Sequence, residues 1–150
     1  MFPPQRIVCL TEETVETLYL LGEQDRIVGI SGYCVRPPEA RRDKPRVSAF
    51  TSANLGKIFD LRPDLVLSFS DLQADIVAAL IRQGVSVHAF NQRTIAEIFD
   101  MIRMLGALVA QRTGRTALPM ISKAELPPRA GGPFRTRRGP WSISRSGMSQ

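Results

Sequence analysis

The chain has 150 residues, one histidine and two cysteines, and carries a formal charge of +6. That length allows one domain with a real core and excludes a standard two-domain enzyme. The charge is uneven: residues 1–111 carry 12 Lys/Arg against 13 Asp/Glu, while residues 112–150 carry 8 against 1. The tail also holds five each of Pro, Gly and Ser, a composition that resists forming a packed core. We therefore place a boundary at 111/112, between a neutral globular body and a disordered basic tail. No apolar run approaches the length of a membrane span, and the first residues lack the features of an export signal. Cys9, Cys34 and His88 cannot close a four-ligand zinc site and read as structural residues.

In chain order the body alternates β-rich runs with helical patterns, the signature of an α/β domain with a mainly parallel sheet. Arg6–Leu10 reads as a first buried strand. Thr11 is placed to cap a helix with Glu12 and Glu13 in its first turn, an apolar stripe of Val15, Leu18, Tyr19 and Leu21, and a left-handed stop at Gly22. Arg26–Ile30 is a second strand. A long connection follows from Ser31 to Ala53, with Pro37-Pro38, a basic cluster of Arg41, Arg42, Lys44 and Arg46, and a short run VSAF returning toward the fold.

Asn54 caps a short helix through Leu61, Pro63 prevents its continuation, and Asp64–Phe69 is an apolar strand of the kind buried on both faces. Asp71 opens a helix through Gln83 with Ile76, Val77, Leu80 and Ile81 inward. Gly84 ends it, and Val85–Phe90 forms a further strand. Ile95, Ile98, Phe99, Ile102, Leu105 and Val109 then recur at helical spacing along one amphipathic helix, Thr94–Gln111.

In an open parallel sheet the ligand crevice lies beyond the carboxyl ends of the strands. The residues predicted there are Thr11-Glu12, Ser31-Gly32-Tyr33, Ser68-Phe69-Ser70 and Asn91-Gln92. They offer hydroxyls, amides and aromatic rings, but no nucleophile beside a base. A glycine fingerprint for dinucleotides and a P-loop are both absent, and the acidic first turn would repel a pyrophosphate. The pattern favours binding over catalysis. An alternative is a small cytoplasmic α/β enzyme dependent on Asp64, Asp71 or Glu12, or a lone binding domain whose basic tail contacts nucleic acid or anionic lipid.

Four stretches, RIVCLTEETVETLYLLG, RIVGISGYCVRPPEA, NLGKIFDLRPDLVLSFSD and LIRQGVSVHAFNQRTIAEIFDMIRMLG, resemble the amino-terminal lobe of the cobalamin and iron-siderophore substrate-binding proteins of ABC importers. The most specific piece is KIFDLRPDLVLSF. The resemblance covers about residues 5–111. It implies a Rossmann-like parallel-sheet lobe of a two-lobed periplasmic-binding-protein fold, with residues 94–111 starting the helix that bridges the lobes. It also implies a non-enzymatic protein without covalent cofactor or resident metal, which binds cobalamin or a ferric chelate and delivers it to a membrane permease. No nucleic acid is expected as partner.

Residue by residue, Tyr33 matches a cleft tyrosine, and Phe50 and Phe69 fall where cobalamin binders place rings against the corrin; the alternative is that both phenylalanines are core. Thr11 and Glu12 stand where the family often has Ser-Pro, and together with Ser70 they complete the expected ligand set. Asp75 lies one position from the acidic residue that docks on a permease arginine. The resemblance implies a periplasmic protein, whereas the chain as written, with no signal peptide, would be cytoplasmic. The resemblance leads one to expect a second lobe after the body, and one shift of reading frame near residues 112–118 would account together for the charge jump, the Pro/Gly/Ser excess and the absence of that lobe from the sequence as written. Read in a shifted frame, the segment from Trp141 permits VYFEEWDEP, similar to the first strand of the second lobe.

Overall fold

A computed structural model describes residues 3–109. Five short strands form one wholly parallel sheet in the order β3-β2-β1-β4-β5: β1 is Ile7–Cys9, β2 Ile27–Ser31, β3 Arg46–Ser48, β4 Leu65–Phe69 and β5 Val87–Phe90. The helices are α1 Glu12–Leu20, α2 Pro38–Asp43, α3 Leu55–Asp60, α4 Ala74–Arg82 and α5 Ile95–Val109. A Rossmann-like α/β lobe is therefore observed.

Side chains alternate across the central strands, so each feeds two cores. Ile7 and Cys9 of β1 join Leu65 and Leu67 of β4 beneath Val15 and Leu18 of α1 and Met101, Leu105 and Val109 of α5. Val8 and Val66 point the other way, into a cluster with Ile58 of α3 and Ile76 and Leu80 of α4. The chain thus winds leftward from β1 on one face and returns on the other, so the direction of winding reverses between β1 and β4. That is where an open α/β sheet leaves a crevice.

The connection from Ser31 to Ala53, expected to be loop, contains α2 and the edge strand β3. Neither carries a periodic apolar signal, because only Ala40 and Val47 in them are buried. Pro37-Pro38 opens α2 rather than breaking the chain, since proline suits a first helical turn.

The helix expected from Asp71 instead begins with a 3-10 turn over Asp71–Gln73, and α4 follows. Ser70 sets this up: its φ is 57°, in the left-handed region, and its hydroxyl accepts from the Leu72 amide. Three residues of the expected apolar stripes differ as well. Ile81 is exposed because the nine-residue α4 buries only the Ile76/Leu80 pair. Ile95 and Ile98 are exposed because α5 starts at the sheet's carboxyl edge and reaches the core only at Met101, Leu105 and Val109.

Local signals agree elsewhere. Gly22 and Gly84 have φ of 74° and 79°, and the Asn54 side chain accepts from Lys57 N at 2.9 Å. Thr11 occupies the N-cap of α1, but its hydroxyl meets that of Thr14 at 3.4 Å instead of a backbone amide. The basic tail and the 111/112 boundary lie outside the described residues.

Candidate ligand crevice

Every strand points its carboxyl end to the same edge, and the residues singled out from the sequence lie along it. Thr11 and Glu12 follow β1, Tyr33 follows β2, Phe50 follows β3, and Ser70 follows β4. Their states differ. Tyr33 is 65% exposed, Phe50 and Phe69 are half-buried, and Thr11 and Ser70 are buried. Phe69 packs partly against the core while keeping part of its ring open, so it is intermediate between core and crevice residue. Phe50 belongs to neither core cluster.

Glu12 holds the loop that carries Tyr33. Its carboxylate accepts from the Arg36 amide at 3.1 Å and from Arg36 Nε at 3.4 Å, and Glu16 adds a contact to the same guanidinium at 3.3 Å. Thr11 and Ser70 are likewise engaged in local hydrogen bonds. The polar groups of these three are thus taken up by local bonds, whereas Tyr33, Phe50 and Phe69 keep part of their surface exposed. The Arg93 guanidinium lies 5.8 Å from the centre of the Phe69 ring, within cation–π range, and also reaches Asp71 at 3.3 Å and Asn91 at 3.1 Å. No pattern of neighbouring residues marks it.

The residue most plainly missed by periodicity is Gln73. It is wholly buried, and its amide nitrogen donates to the carbonyl of Leu10 at 3.2 Å and that of Phe50 at 2.9 Å. Its amide oxygen accepts from the Phe69 N–H at 3.0 Å. One side chain thus meets the ends of three strand-following segments. In the sequence it is an unremarked polar residue between Leu72 and Ala74, and only its 3-10 turn aims it inward.

The carboxylates that an enzyme would need are not brought together. Asp64 accepts from the Gln5 and Arg6 amides at the amino-terminal edge of the sheet, at 2.7 and 3.0 Å, Asp71 is exposed and paired with Arg93, and Glu12 is committed to Arg36. Among the described residues no group of three or more His, Cys, Asp or Glu is arranged to hold a metal. His88 lies on β5 with its ring edge-on to Phe90, the centroids 4.4 Å apart. Burial pushes the Cys9 thiol up to about 12 and raises that of Cys34, so neither is a thiolate at neutral pH. Asp75 is exposed in the first turn of α4. Among the described residues no helix is long and apolar enough to cross a membrane.

Known proteins share this arrangement. The chain is 32% identical over 105 residues to the vitamin B12-binding protein of Vibrio cholerae, covering 69% of this chain and 38% of that one. It is 31% identical over 107 residues to an ABC transporter substrate-binding lipoprotein of Bacillus subtilis, covering 69% of this chain and 33% of that one. The crystal structure of the periplasmic vitamin B12 binding protein of Vibrio cholerae superposes with a TM-score of 0.66 at 29% identity, covering 73% of this chain and 43% of that one. The chain therefore spans between a third and about two-fifths of the length of these relatives. A parallel sheet with this strand order and a match over residues 7–119 to the periplasmic binding protein family model together place the chain in that family.

Proposed function

We propose that the chain supplies the amino-terminal ligand-binding lobe of a substrate-binding component of an ABC importer, non-enzymatic and periplasmic, with cobalamin or a ferric chelate as cargo. The observation that carries this reading is the aromatic surface at the β1/β4 crevice, Phe69 with Phe50 and Tyr33 along the same edge, on a chain related to vitamin B12-binding proteins. A large, rigid, mostly apolar macrocycle is held by area and stacking more than by charge. Partly exposed aromatic side chains at the strand ends suit that task. Thr11, Glu12 and Ser70 form the rim, and exposed Asp75 is the acidic contact for a permease.

Titration of the whole chain with cyanocobalamin, and separately with haemin, tests the assignment. Phe69→Ala is expected to weaken binding about tenfold, close to 1.4 kcal/mol, and, because the ring also packs on the core, to lower the melting temperature by a few degrees while melting stays cooperative. Asp75→Asn is expected to leave the titration unchanged. Absence of binding to both ligands at millimolar concentration, or equal binding by the Phe69 variant, would overturn the reading.

A further inference from the structure

We propose that Gln73 is the positioning residue of the crevice, the side chain that places the Phe50 loop beside Phe69. This rests on the assignment of those two rings to the ligand.

The argument begins with the sheet order. β3 is an edge strand, and three inter-strand steps separate it from β4, roughly 14 Å at the usual spacing. A loop continuing straight from β3 would leave Phe50 far from the β1/β4 crevice. Instead the chain folds back across the carboxyl ends of β2 and β1. Two contacts bring the chain back beside β3: Ala53 forms an isolated antiparallel bridge with Ser48, and Asn54 N donates to Val47 O at 2.8 Å. Within the loop, Ala49 N donates to Ser52 O at 2.8 Å, a bond that shapes the turn without fixing its position over the sheet. The Phe50 carbonyl is tied by Gln73 Nε2, which also holds the Leu10 carbonyl, so those two oxygens are neighbours although their strands are not adjacent.

The chemistry of the link is specific to a glutamine. A primary amide has two N–H donors and one carbonyl acceptor. Here both donors face backbone carbonyls and the acceptor takes the Phe69 N–H, so all three partners are backbone groups that keep their places whatever side chains surround them. Glutamate would set a carboxylate against two carbonyls in a fully buried site, and leucine would leave three backbone groups without a partner. Asparagine keeps the amide but is one methylene too short to span all three. The residue also has the means of staying in place. Ser70 turns the chain at positive φ and caps the 3-10 turn on which Gln73 rides.

The experiment combines hydrogen exchange with the cyanocobalamin titration, on the full chain and on Gln73→Leu, Gln73→Asn and the exposed control Gln83→Leu. Both Gln73 variants are expected to raise exchange about tenfold at the Phe69 amide and through residues 49–54, while β1, β5 and α5 keep their protection and melting stays cooperative. Cyanocobalamin affinity is expected to fall about tenfold in parallel, and the control to match wild type. Unchanged exchange in the 49–54 loop overturns the proposal, as does a rise spread evenly over the molecule, which marks Gln73 as an ordinary core residue. A local rise with unaltered affinity overturns it too. If the wild-type chain binds no cyanocobalamin while the local rise is present, the cobalamin assignment fails and Gln73 still positions the loop. Should the leucine variant not fold, the asparagine variant alone decides between these outcomes.

Discussion

Cys9 illustrates what burial does to one atom. Its thiol lies in the core on the sheet face covered by α1 and α5, with no exposed surface, and the loss of solvent raises its pKa from 9.0 to about 12 despite a hydrogen bond from Thr14. Cys34 moves the same way for the same main reason, with Glu12 adding to the shift. The thiols should therefore react with an aromatic disulfide reagent only after unfolding; reaction of either within minutes in the native protein at pH 8 would contradict this. The shift also sets a pH dependence. A thiol that holds its proton more tightly when folded contributes stability that is intact below pH 9 and is lost as pH rises toward 12. Denaturant melts at pH 8 and pH 10.5 should show that fall. Cys9→Ser should reduce it, leaving the part due to Cys34 and Tyr19, both also raised by burial.

The helix ends show how far local chemistry reaches. Asn54 caps α3 with a hydrogen bond to Lys57 N, on a helix that buries only Ile58. A six-residue helix has little packing to hold it, so Asn54→Ala is expected to cost about 1 kcal/mol. Equilibrium urea denaturation measures that loss; a change below a few tenths would mean that packing, not the cap, defines the helix. At α5 the pattern T-x-x-E at Thr94 and Glu97 is a reciprocal cap. Glu97 accepts from the Arg93 and Thr94 amides at 2.7 and 2.9 Å, and the Thr94 hydroxyl accepts from Glu97 N at 3.3 Å. Those bonds hold the Glu97 carboxyl below its ordinary pKa. Apolar spacing identified the helix and the phase of its buried face, with Leu105 and Val109 in the core, but extended that face one turn too far toward the start, because periodicity reports a stripe and not where along the helix the sheet ends. Ile95, 74% exposed, has the right phase on a turn that projects past the sheet's edge.

For the molecule as a whole, one buried cation joins its distant parts. Arg26 donates to the carbonyls of Pro4 and Val109 at 2.8 and 3.1 Å and pairs with Glu23 at 2.7 Å, all at the amino-terminal side of the sheet. It fixes α5, the element that enters the core last, to the start of β2. Removing one partner from a buried network leaves the others uncompensated. Arg26→Met is thus expected to lower unfolding free energy by about 3 kcal/mol and to free the end of α5 first in hydrogen exchange. A loss under 1 kcal/mol would show that hydrophobic contacts alone seat the helix.

The parallel α/β class, the apolar β1 and β4, the caps at Asn54, Gly22 and Gly84, and the family resemblance across the body were all legible in the chain. Each depends on residues near one another in sequence, through backbone conformation, hydrogen bonding or periodic burial. Tyr33, Phe50 and Phe69 could be placed after strands by the same means. What tertiary structure decided is that the carboxyl ends of β1, β3 and β4 meet around Gln73, which ties the Phe50 loop to Phe69. The three-residue β3 and the helix α2 bury too little to leave a pattern, yet they carry the chain to the sheet's edge and back. Gln73 and Arg93 acquire their roles only from partners in space, across 63 positions for Gln73 and Leu10. A polar side chain has no periodicity that marks its hydrogen-bond partners, so its role at a site appears only when folding brings them together.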